Sequence, residues 1–197
     1  MPGGSDQTLR PFLWRAGNLY PDREIVSRTH EGVERYTYDE YADRAAALAS
    51  ALDDAGVEEG DRVGTVCWNH HRHFEAYFAI PGVGAQLHTI NPLLPEHHLQ
   101  HIVEDAQDRV LLIDPSLLEA IEAAYDPEAF ASVEQFVVMG SEAPDSSLEP
   151  VVAYEEFVDE DAAFDEHDWP DVPEDQPAGL CYTSGTTGDP KGVEYTQ

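Results

Sequence analysis

Lysine is nearly missing from this sequence: one residue, Lys191, carries the type, and the other nine of ten cations are arginine, against 40 Asp and Glu. The resulting net charge of −30 argues against nucleic-acid and anionic-membrane partners, because binding to those surfaces begins with positive charge that neutralises phosphates. Long apolar runs are also missing, and none reaches the ~18 residues that a bilayer-crossing helix needs. The opening stretch MPGGSDQTLRPFLWRAG lacks a basic segment followed by an apolar one, so no secretory leader is read there. Only Cys67 and Cys181 carry thiols, too few for a disulfide framework. These absences together predict a cytoplasmic chain.

What is present is globular. Hydrophobic residues make up 42% of 197 positions, enough for one domain with a real core and too little chain for two large ones. A charge so far from zero strains a compact fold by self-repulsion. Molar salt relieves that strain by shortening the screening length from about 10 Å at 0.1 M to about 3 Å at 1 M. The sequence therefore reads as halophilic. The competing reading, an acidic chain with a disordered tail, fits less well because the acids are spread along the sequence and not gathered in a block.

Apolar periodicity alternates between two forms. Thr37-Tyr-Asp-Glu40 has the form of a capping box, and Tyr38, Tyr41, Ala42, Ala45, Leu48, Ala49 and Leu52 follow at helical spacing up to a stop at Gly56. Strands are predicted at 63–68, 86–90, 109–113, 135–139 and 178–183, and further helices around 74–80, 95–105 and 116–124. Near-continuous apolar runs such as VLLI, separated by helices, imply an α/β fold of βαβ units with a mostly parallel sheet. The expected organisation is one partial domain over 1–197: a βα region at 1–140, an acidic surface connection at 141–177, and a strand with a phosphate loop at 178–197. Within the connection only Val151 to Val158 are expected to pack.

The segment CYTSGTTGDPKGVEYTQ carries the most chemistry. Gly185, Gly188 and Gly192 permit close approach of backbone N–H groups to an anion, and Thr183, Ser184, Thr186 and Thr187 add hydroxyls. Pro190 stiffens the turn before Lys191, which supplies a compact positive charge. A polyphosphate suits that set. A Walker A loop is excluded, since Lys191 is followed by Gly192 and not by Ser or Thr. The plain alternative is a flexible Ser/Thr/Gly loop, disfavoured because strand, glycines, hydroxyls and the sole lysine converge on one short stretch.

YTSGTTGDPKGV resembles the AMP-binding signature of the acyl-adenylate-forming superfamily. Upstream, HTINPLLPEHHLQHIVEDAQDRVLLID is similar to the corresponding stretch of fatty-acyl-CoA synthetases. The resemblance runs from about Tyr20 to Val193 and covers only the opening of the large N-terminal domain of such enzymes. It implies a two-step ligase: a fatty-acid carboxylate attacks the α-phosphate of Mg-ATP to give acyl-AMP and pyrophosphate, and the CoA thiol then displaces AMP. Carried over, Thr183, Ser184, Gly185, Thr186, Thr187, Gly188, Lys191 and Gly192 form the phosphate-binding set, with Lys191 and Thr183 catalytic and Thr183 the hydroxyl nearest Mg²⁺. Leu93 departs from the Arg expected after Asn91-Pro92, and Gln197 from the His expected after the loop. The adenine, ribose and acyl pockets have no counterpart in this chain, so it reads as a fragment whose partner is a separately encoded downstream segment, with poor stability alone. Two alternatives stay open: a non-catalytic remnant that binds nucleotide weakly, and adenylation of an aryl or amino acid.

Other candidates are weaker. His97 and His101 have the i, i+4 spacing of metal ligands, yet no HExxH pattern or Cys cluster accompanies them, so His97, His98 and His101 are read as solvent-facing. His70, His71 and His73 show no Cys or carboxylate partner in the local sequence. Cys181, inside an apolar strand, is read as a buried, inert thiol.

Overall fold

The computed structural model describes residues 7–29, 31–142, 144–158, 162–183 and 189–197. The chain begins with α1 (Arg10–Leu19) and an antiparallel hairpin of β1 (Glu24–Arg28) and β2 (Val33–Thr37), none of which the apolar pattern announced. Next come α2 (Tyr38–Asp54), β3 (Arg62–Val66), α3 (His71–Gly82), β4 (Gln86–Ile90), α4 (Glu96–Ala106) and β5 (Asp108–Ile113). A 3-10 turn (Pro115–Leu117), α5 (Leu118–Ala124), β6 (Gln135–Val138), β7 (Val151–Ala153), the single-turn α6 (Tyr154–Phe157), β8 (Pro177–Thr183) and β9 (Lys191–Thr196) complete it.

Local sequence explains α2 directly. The Glu40 N–H donates to the Thr37 hydroxyl at 3.3 Å while the Thr37 N–H donates to the Glu40 carboxylate at 2.7 Å, so two otherwise orphaned donors are satisfied. Its apolar stripe then buries Tyr41, Ala45, Leu48 and Leu52 completely or nearly so. A buried leucine of this kind contributes roughly 1.5–3 kcal/mol.

The main sheet has seven strands in the order β7-β6-β5-β3-β4-β8-β9, parallel throughout except for β9, which runs antiparallel to β8. Alternation along its central strands feeds two cores. Val110 and Leu112 of β5 and Val137 of β6 face α2 and α3, whereas Leu111, Ile113, Phe136 and Val138 face α4 and α5. From β3 the chain moves to β4 on one side and returns to β5 on the other. The carboxyl ends of β3 and β5 therefore flank a topological switch point, where open α/β sheets leave a crevice.

Residues 141–177 do more than connect. β7 pairs with β6 in parallel register, and Leu148, Ala153, Tyr154, Val158 and Phe164 are all buried. Apolar residues are sparse in this acidic stretch, but each is placed against the fold. Two arginines hold the segment down. Arg72 donates to Glu155 at 2.6 Å and to Glu31 at 3.0 Å, and Arg44 bridges Glu155 and the fully buried Glu75, whose second oxygen accepts from the Tyr154 hydroxyl at 2.6 Å. β8 is covered by β9, which forms the sheet edge with all six residues exposed.

Candidate functional site

β8 lies beside β4 and ends at the carboxyl edge of the parallel sheet. There Thr183 pairs with Lys191 across the β8–β9 ladder, so the predicted loop springs from a hairpin base whose two corners are the hydroxyl and the ammonium group singled out from sequence. Both residues are exposed. Ser184, Gly185, Thr186, Thr187 and Gly188 lie outside the described residues.

Gly192 has a packing role. A Cβ there would stand 3.1 Å from Leu180 Cδ1 and 3.4 Å from the Tyr182 ring, so only a bare Cα lets that ring lie against β9. Tyr182 is fixed on two further sides. Its hydroxyl donates to Asp105 Oδ2 at 2.6 Å, and its ring centroid lies 5.1 Å from that of His88. Burial and the Asp105 carboxylate push the phenol up, which keeps it a proton donor. His88 in turn meets Asp108 at 2.8 Å, both side chains fully buried. Burial raises the Asp108 carboxyl, and His88 opposes that rise.

His101 is half-buried, and its Nε2–H donates to the Pro190 carbonyl at 3.3 Å. The expectation that all three α4 histidines face solvent is thus corrected: His97 is exposed with its ring tilted against that of His98, centroids 4.2 Å apart, while His101 turns toward the loop. Cys181 is half-buried, not buried, with Sγ 3.0 Å from the Thr89 hydroxyl. Leu93 is 78% exposed.

The family of AMP-binding enzymes matches residues 13–197. The chain belongs to that family. Its sequence is 47% identical over 189 residues to a long-chain-fatty-acid–CoA ligase of Thermus thermophilus, covering 95% of this chain and 33% of that protein. A 3-methylmercaptopropionyl-CoA ligase of Ruegeria pomeroyi is 43% identical over 192 residues, covering 95% and 35% respectively. The chain thus spans about a third of the length of these relatives. In fold it is similar to the anthranilate CoA ligase AuaEII in complex with anthranoyl-AMP, with a TM-score of 0.84, 23% identity, and coverage of 98% of this chain and 35% of that one.

This AMP-binding enzyme chain carries a second polar cluster that sequence reasoning dismissed. Cys67 follows β3, His70 caps α3, and Asp114 follows β5, all three buried at the switch point. Cys67 Sγ lies 2.9 Å and Asp114 Oδ2 3.3 Å from the same atom, His70 Nε2. His70 therefore does have thiol and carboxylate partners, and the expectation of none is corrected. A Cys-x-x-His spacing was the available signal for the thiol; Asp114 comes from a strand far along the chain and had none.

The tautomer decides what this cluster does. His70 Nδ1 accepts the His73 N–H at 3.4 Å as the helix cap, so the ring proton sits on Nε2 and is shared between sulfur and carboxylate. In that state Nε2 is a donor and not a metal ligand, and the carboxylate lies on the wrong nitrogen to orient a base toward the thiol. Burial pushes the Cys67 thiol up, further from a nucleophile. His71 and His73 are buried beside it and pushed down to about 4 by that burial.

Proposed function

We propose that the chain supplies the pyrophosphate-holding part of an ATP-dependent, AMP-forming fatty-acyl-CoA ligase. The observation that carries this reading is the hairpin base, where Thr183 and Lys191 stand paired and exposed at the carboxyl edge of the sheet. In such a reaction a carboxylate oxygen bonds to the α-phosphorus of ATP as pyrophosphate leaves, and the CoA sulfur then bonds to the acyl carbon as AMP leaves. Charge grows on the departing pyrophosphate. An ammonium group and hydroxyls fixed around it stabilise that charge more in the transition state than in bound ATP.

Lys191 carries the positive charge in this scheme, with Ser184, Gly185, Thr186, Thr187 and Gly188 supplying backbone and hydroxyl donors and Thr183 facing Mg²⁺. Thr183 would offer one hydroxyl oxygen to that ion, which would neutralise phosphate charge. Local positive charge counts for more here because the field of a −30 chain repels ATP and CoA. The same charge supports a salt-adapted chain working in a cytoplasm of high ionic strength.

ATP/pyrophosphate exchange in molar KCl, with and without any separately encoded downstream segment, tests the reading. Fatty-acid-dependent exchange that falls about a hundredfold in Lys191→Ala is the expected result. Exchange with an aryl or amino acid instead would move the substrate class, and none under either condition would leave a nucleotide-binding remnant.

A further inference from the structure

The face of α4 turned toward the loop carries His101 and Asp105, four residues apart and so one above the other on the helix. Each touches a different end of the same loop. Asp105 accepts from the hydroxyl of Tyr182, the residue before Thr183, at 2.6 Å, and His101 donates to the carbonyl of Pro190, the residue before Lys191, at 3.3 Å. Pro190 is buried, and Tyr182 is pinned between His88 and the bare Cα of Gly192. One rigid helix thus reaches both corners from which the loop departs.

We propose that His101 and Asp105 are positioning residues for phosphate binding: they hold the two ends of the loop so that Thr183 and Lys191 keep a fixed separation and direction. This rests on the phosphate-loop reading above. Ladder pairing at Thr183 and Lys191 fixes the backbone of the base, but β9 is an exposed edge strand, the kind of element whose local opening costs least. Two side-chain anchors on a packed helix remove that freedom before the anion arrives, which lowers the ordering cost of binding.

Binding of Mg-tripolyphosphate to the 197-residue chain in molar KCl, followed by calorimetry, provides the test, with circular dichroism and thermal midpoints confirming that each variant is folded. His101→Ala and Asp105→Ala should each weaken binding about three- to tenfold, the usual worth of one hydrogen bond. His101→Gln, which keeps a donor, and Asp105→Asn, which keeps an acceptor, should restore it to within about twofold, a rescue that simple loss of packing would not show. Combining Tyr182→Phe with Asp105→Ala should weaken binding no more than either alone. Wild-type-like binding by the alanine variants, alongside loss of binding in Lys191→Ala, would overturn the positioning role and leave the phosphate site standing. If the parent chain does not bind tripolyphosphate, the phosphate reading fails instead. Amide hydrogen exchange then judges the anchors: faster exchange at 181–183 and 190–193 in the alanine variants, with α2 unchanged, supports them, and identical exchange overturns them.

Discussion

Gly64 sits in the middle of β3 with Leu111 of β5 on one side and His88 of β4 on the other. A Cβ there would come within 2.6 Å of Leu111 Cδ1 and 3.0 Å of the Asp108 carboxyl carbon. The bare Cα is what lets Asp108 reach across β3 to His88. Gly64→Ala is expected to destabilise the fold by about 1–3 kcal/mol through overpacking, read as a lower denaturation midpoint in KCl. Arg72 is the other sensitive position. It is buried, and Arg72→Ala would take one partner from Glu155, which keeps Arg44, and one from Glu31, which keeps Ser141, and would leave the Met139 carbonyl without that donor. A loss of about 1–3 kcal/mol is expected from the same measurement, the range for charged hydrogen bonds lost while each carboxylate keeps another partner, and a change under about 0.5 kcal/mol would show that Arg72 carries little. Neither residue stood out in the sequence. Gly64 interrupts a strand pattern without a turn signal, and the partners of Arg72 come from segments before and far after it.

At the level of elements, legibility followed periodicity. α2 and β5 were readable because a capping box and the apolar run VLLI each speak locally, and the structure also gives β4 at Gln86–Ile90 as expected. β9 was not readable, since all six of its residues are exposed and leave no alternation. β7 was hidden because three residues among many acids carry it. The loop motif was visible, yet its anchors on α4 were not, because a helix face has no sequence mark for the hairpin it meets. The α3 amino end makes a prediction of its own. His71 and His73 are held neutral down to about 4 by burial, reinforced for His71 by Arg72 and Arg44, with Glu155 opposing for His71 and Asp114 for His73. An unfolded chain takes up those protons near 6.5, so stability is full above that value and falls as pH drops toward 4. Glu31, where burial is outweighed by Ser141 and Arg72, is held down to about 2 and adds a second loss between about 4.5 and 2. Urea midpoints across pH should show the first decline, and a flat profile between 6.5 and 4 would contradict it.

For the whole molecule, charge governs. At −30 the acids repel one another across a surface with ten cations, several of them already committed to Glu75, Glu155, Glu31 and Asp61. Circular dichroism in a KCl series should show cooperative gain of structure as the screening length falls toward about 3 Å, and full folding in dilute buffer would contradict the salt-adapted reading. No helix among the described residues is long and apolar enough to cross a membrane. The exposure of Lys191 at the hairpin corner has a practical consequence. With one ε-amino group in the chain, any acylating reagent finds two amines at most, this one and the α-amino group. A fluorophore or acetyl group attached through amine chemistry therefore reports on a single internal site, and enzymatic lysine acetylation, wherever it met this chain, would erase its one ammonium side chain in a single step.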